Sequence, residues 1–208
     1  MRGTFITFEG GEGTGKSTQA ARLAARLRQA GREVVATREP GGSPGADQIR
    51  ALLVEGEPGR WDAIAEALLV YAARRDHLRH TVWPALDRGT VVICDRFIDS
   101  TLAYQGFGRG LGPELIDRLR QLAIGDFQPD LTLVFDLPVE AGLARAKSRG
   151  GAETRFESFD VEFHQRVRDG FLQIAAQAPR CVVIDAQATV EAIADRVWQV
   201  VSERLPPT

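Results

Sequence analysis

Residues 4–17 read TFITFEGGEGTGKS, and the way this segment divides decides the fold. Its first part, residues 4–8, is an apolar and β-branched run of strand length. The remainder fits G-x-x-x-x-G-K-[ST] at Gly10, Gly15, Lys16 and Ser17. Gly10, Gly11, Gly13 and Gly15 let successive backbone N–H groups turn inward onto a phosphate chain, and a helix starting at Lys16 adds the positive end of its dipole. Lys16 reaches the β- and γ-phosphates of a nucleoside triphosphate, and the Ser17 hydroxyl suits Mg²⁺. Glu12, Thr14 and Thr18 complete the segment expected around the phosphates. A strand before and a helix after distinguish this segment from an ordinary Gly-rich turn.

The same alternation continues along the chain. Residues 33–37, 90–94, 131–135 and 181–184 read as further buried strands, apolar on both faces. Helical spacing covers 17–30, 47–55, 61–83, 113–124, 139–147, 160–177 and 189–204. In the last of these, Val190, Ile193, Val197, Val200 and Val201 form one apolar stripe. This β-α order predicts a doubly wound α/β fold, with about five parallel strands flanked by helices and ligands beyond the strands' C-terminal ends.

Composition narrows the function classes. At 208 residues and 44 % hydrophobic content, one domain over 1–208 is expected, with room for a small mobile insertion. A net charge of -2 without long basic runs argues against a nucleic-acid polymer as partner. Apolar stretches of about five residues fall far short of the ~20 that a membrane span needs. No signal peptide precedes the first strand, so a cytoplasmic protein is expected. Cys94 and Cys181 lie in strand-like runs, as reduced thiols do. All but two of the 26 basic residues are arginine; Lys16 and Lys147 are the exceptions. Asparagine is absent, so the guanine-reading N-K-x-D signature of GTPase switches cannot occur, and the size suits a kinase with a small acceptor.

Four further segments accompany the phosphate loop: TREPGGS (37–43), LLVYAAR (68–74), DRFIDSTLAYQG (95–106) and the basic stretch RAKSRGGAETR (145–155). In this order and spacing they resemble the bacterial thymidylate kinase family along nearly the whole chain. The resemblance implies a P-loop kinase fold, transfer of the γ-phosphoryl group of ATP to dTMP with Mg²⁺, and a homodimer. It gives Arg38 and Arg96 to the acceptor phosphate, places Asp95 near Mg²⁺, and points Arg74, Thr101 and Gln105 at thymine. Tyr104 falls under the deoxyribose, where a 2′-hydroxyl would clash, and Glu12 on the 3′-hydroxyl. For Asp95 a helix cap is an alternative. His77 and His80, one turn apart, read as surface residues.

The acceptor phosphate, with a second pKa of about 6, needs no strong base, so catalysis falls to positioning and charge neutralisation. Family members either carry an arginine directly after the loop acid or supply cations from a lid. Here that position is Gly13, so a lid at about 145–155 must supply them, with Arg145, Arg149 and Arg155 as candidates and a solvated loop as the alternative. The family's stacking phenylalanine is replaced by Val70, with Tyr71 next to it. Either shares a helix face with Arg74, and Tyr71, being aromatic, is expected to take over the stacking.

Overall fold

The computed structural model describes residues 2–149 and 155–205, apart from the side chains of Pro58 and Arg149. Five strands, β1 (Phe5–Gly10), β2 (Val34–Arg38), β3 (Val91–Asp95), β4 (Leu131–Asp136) and β5 (Cys181–Asp185), form one parallel sheet in the order β2-β3-β1-β4-β5. β1 therefore lies at the centre, paired with β3 from Phe5↔Val92 to Phe8↔Asp95 and with β4 from Ile6↔Leu131 to Gly10↔Phe135. All C-terminal ends point the same way, and the loops after β1, β2 and β3 meet there.

The two-residue period of β1 divides the core. Ile6 and Phe8 face α1 (Lys16–Gln29) and the C-terminal helix, with Leu23, Leu27, Ile193 and Val197 in one buried cluster. Phe5 faces the opposite layer, where Val92, Phe97, Leu78 and Val82 surround it. On that same side the centre of the sheet is polar: Thr7 Oγ1 meets Thr132 Oγ1 at 2.8 Å, and Glu9 is fully buried.

Three expectations change. The edge strands are partly open, with Val183 45 % exposed, because each has a neighbour on one side only. Val190 is exposed at the first residue of its helix, outside the stripe that buries Ile193, Val197, Val200 and Val201. The span 61–83 is not one helix: α2 (Pro44–Val54) is followed by α3 (Ala63–His77), a π-helical turn at Leu78–Val82, and α4 (Trp83–Asp87). A second π segment, Leu102–Gly108, extends α5 (Ile98–Thr101) ahead of α6 (Pro113–Ile124). The remaining helices are α7 (Val139–Arg149), α8 (Val161–Gln177) and α9 (Val190–Arg204).

Candidate active site

The loop between β1 and α1 carries positive φ at Gly10, Gly13 and Gly15. Gly13 has a second constraint: a Cβ there would fall far inside contact distance of the Gly142 carbonyl of α7. No side chain fits there without the backbone moving. Lys16 folds back over the loop, donating to Gly11 O at 2.6 Å and Thr14 Oγ1 at 3.1 Å. Burial, aided by the nearby Arg96 charge, pushes its ammonium down to about 8. Thr18 is exposed in the first turn of α1 and does not line the cleft.

Asp95 ends β3, beside β1, and accepts from the Ser17 hydroxyl. It does not cap α5, whose N-terminus has no side-chain cap. A hydroxyl and a carboxylate at the mouth of the phosphate loop form the hard-oxygen donor set that Mg²⁺ takes.

Arg96 adopts φ of 70°, a costly conformation for a residue with a Cβ. This turns its side chain back across β1. Nη1 donates to Gly10 O and Ser100 Oγ, and Nη2 to Glu12 Oε1 at 2.9 Å. Glu12 Oε1 also accepts from Tyr104 Oη at 2.7 Å, and the guanidinium lies 4.9 Å from the Tyr104 ring centre. Burial opposes the Glu12 charge, but Arg96 and then Lys16 outweigh it and hold the carboxyl down at about 2. Arg96 itself stays charged against burial because Tyr104, Glu12 and Asp95 surround it.

These groups line one end of a cleft of about 540 Å³ that continues past Arg38 to Val70, Arg74, Thr101 and Gln105. Arg74 is buried; Nε donates to Glu39 Oε2 at 2.7 Å and Nη2 to Phe97 O at 2.9 Å. Arg74 Nη1 and Thr101 Oγ1 are shielded from solvent and have no hydrogen-bond partner among the described residues. Buried polar groups are normally paired. Two such atoms on side chains that line one cleft point to a polar ligand there.

Several site expectations need correction. Tyr71 does not line the cleft: one residue on from Val70, it is rotated about 100° around α3 and packs against Ile116 of α6. Its hydroxyl needs an acceptor and finds one in Ile116 O at 3.1 Å. Val70, with Val54, supplies the apolar wall instead. Arg155 is not a cleft residue either. It is fully buried against Glu66 at 2.5 Å, because a carboxylate removed from water needs a cation. Arg145 is exposed, bonds Ala186 O, and does not line the cleft. The Arg149 side chain and residues 150–154 lie outside the described residues. His77 is fully buried rather than at the surface, with Nδ1 on Glu39 Oε1 and Nε2 on Thr37 Oγ1. Glu39, His77 and Cys94 lie close enough to suggest a metal, but both Glu39 oxygens are already engaged by His77 and Arg74.

Sequence reading missed Glu9, Glu39, Arg50, Phe97 and Phe156. Glu9 accepts from Phe97 N and Ser100 Oγ and so fixes the loop that aims Arg96. Burial, then the Asp99 charge, raises its carboxyl to about 7. An acid inside an otherwise apolar central strand was the available signal. Arg50 and Phe156 line the cleft with no motif to mark them.

The family model described as thymidylate kinase matches residues 8–197. A thymidylate kinase of Caulobacter vibrioides is 56 % identical over 205 residues, 98 % of each chain. One of Ruegeria pomeroyi is 54 % identical, covering 99 % of this chain and 98 % of its own. A crystal structure of thymidylate kinase from Ehrlichia chaffeensis superposes with a TM-score of 0.78 at 39 % identity, covering 97 % of this chain and 99 % of the other.

Proposed function

The chain belongs to the thymidylate kinase family, and from that premise we infer that it transfers the γ-phosphoryl group of ATP to dTMP, giving dTDP and ADP. The observation that carries this reading is one continuous cleft with Lys16 at the phosphate loop and unpaired buried donors at the far end. ATP phosphates lie in the loop, and the acceptor phosphate sits between Arg38 and Arg96. Glu12 takes the 3′-hydroxyl, the Tyr104 ring bars a 2′-hydroxyl, and Arg74, Thr101 and Gln105 meet thymine over the Val70 wall.

The dianionic acceptor attacks without a base; the residues bring two anions together and neutralise them. Lys16 and Arg96 supply cations at the reacting phosphates. Mg²⁺, when bound at Ser17 and Asp95, adds neutralisation of the donor's charge. The chain works as one kinase domain over 1–208, with residues 145–155 as its lid. A homodimer is supported by apolar residues on the packed pair α3 and α6: Ile64 is 52 %, Leu68 51 % and Leu122 85 % exposed. Two free thiols and substrates that are intracellular metabolites support a cytoplasmic enzyme.

Lys16→Ala tests the assignment. A folded protein is expected with turnover reduced at least ~10²-fold, as for removal of one preorganised charge-stabilising group. Near-normal turnover sinks the reading of the phosphate loop.

A further inference from the structure

We propose that Glu66 is a positioning residue that makes Gln105 read thymine and reject cytosine, by fixing which end of the Gln105 amide faces the cleft. The inference rests on the far end of the cleft being the dTMP base site.

Glu66 is fully buried on α3, and its two oxygens face different groups. Oε1 accepts from Gln105 Nε2 at 2.8 Å and Oε2 from Arg155 Nη2 at 2.5 Å, while Arg109 Nε lies 3.9 Å from Oε1. An amide's two ends are told apart by their partners, and a carboxylate held between guanidinium groups accepts without donating. The NH₂ end of Gln105 must therefore face Glu66. Rotating the amide would set oxygen against carboxylate oxygen where Gln105 is 2 % and Glu66 0 % exposed, and water cannot relieve that repulsion. The carbonyl end is left for the cleft that Gln105 lines, and it makes no hydrogen bond among the described residues.

Thymine presents an acceptor at O4 and a donor at N3–H; cytosine presents an amino donor at position 4 and an acceptor at N3. Arg74 Nη1 is the unpaired donor suited to O4, and its guanidinium is fixed by Glu39. Gln105 Oε1 is the acceptor suited to N3–H. Cytosine would meet donor with donor and acceptor with acceptor. An unrestrained amide accommodates either base by rotating; a buried carboxylate behind it removes that freedom. Arg155 also donates to Leu53 O and Glu57 O, so Glu66 is not its sole acceptor.

The test compares kcat/KM for dTMP and dCMP, with the Kd for ATP, in the wild-type enzyme and two variants. Glu66→Gln can donate as well as accept and so releases the amide. Glu66→Gln combined with Arg155→Met removes both buried charges together and guards against misfolding from an unpaired arginine. Both are expected to lower the dTMP/dCMP ratio at least ~10-fold, chiefly through KM for dTMP, with ATP affinity unchanged. Arg74 still opposes the cytosine amine, so preference is eroded and not reversed. A folded Glu66 variant with reduced kcat and an unchanged ratio overturns the proposal, because Glu66 then serves only to hold Arg155. A ligand-side measurement needs no variant: N3-methyl-dTMP, lacking the N3–H, binds the wild-type enzyme at least ~10-fold more weakly than dTMP, and equal affinity overturns the proposal. Failure of the wild-type enzyme to phosphorylate dTMP overturns the base-site assignment itself, and this inference with it.

Discussion

Replacing Thr101 by valine tests whether the far end of the cleft is built for a base. Thr101 is 1 % exposed, and its hydroxyl has no partner among the described residues. A helical threonine commonly bonds the carbonyl four residues back, and this one does not. An unsatisfied buried hydroxyl costs about 1–3 kcal/mol, and valine keeps its shape without that cost. Taking the lower end, ~1 kcal/mol, the ligand-free Thr101→Val protein should melt ~2–4 °C higher, the shift expected for a chain of this size. The bound state moves the other way. One neutral hydrogen bond is worth about 0.5–1.5 kcal/mol net, so dTMP binding should weaken roughly 2- to 10-fold. Thermal denaturation with and without saturating dTMP, together with calorimetric titration, reads both effects. A variant that melts lower and binds dTMP as tightly as wild type refutes the reasoning, since Thr101 would then serve the fold and not the ligand.

The pH dependence of ATP use follows from Lys16, whose ammonium is depressed to about 8 by burial. Binding polyphosphate needs the charged form, so kcat/KM for ATP at saturating dTMP should be level below pH 8 and fall as pH rises through it. A profile flat to pH 10 contradicts this. The lid arginines should separate: Arg155→Met strands the buried Glu66 charge and should cost about 3–5 kcal/mol of stability, measured by denaturant titration. Arg149→Met should leave stability and dTMP affinity intact while lowering turnover by up to ~10³-fold, as loss of an arginine finger does; full activity would return the segment to a solvated loop.

The sheet was legible because strand-length apolar runs and helical spacing are local patterns, and observed strand bounds fall within two residues of those read from sequence. The phosphate loop was equally legible, since its chemistry sits in consecutive residues. What escaped was set by rotation and burial, which sequence spacing does not carry. Val70 and Tyr71 are adjacent, yet one lines the cleft and the other packs on α6. Arg155 resembles its basic neighbours in sequence, but the acid that claims it is on α3, 89 positions away. His77 and Glu39 likewise join across the fold to hold Arg74. The π-helical segment Leu102–Gly108 has no plain sequence signature, and it is this segment that brings Tyr104 and Gln105 to the cleft beside Thr101.

The central claim is that this cleft phosphorylates dTMP. Its most direct test is a coupled assay of the purified chain with ATP across dTMP, dUMP, CMP, GMP and AMP. The highest kcat/KM is expected for dTMP, with CMP, GMP and AMP at least ~10²-fold lower, because a base whose edge fails to pair leaves Arg74 Nη1 and Thr101 Oγ1 buried without partners. Preference for any of those three over dTMP, or ATP binding without phosphorylation of any acceptor, would contradict the account.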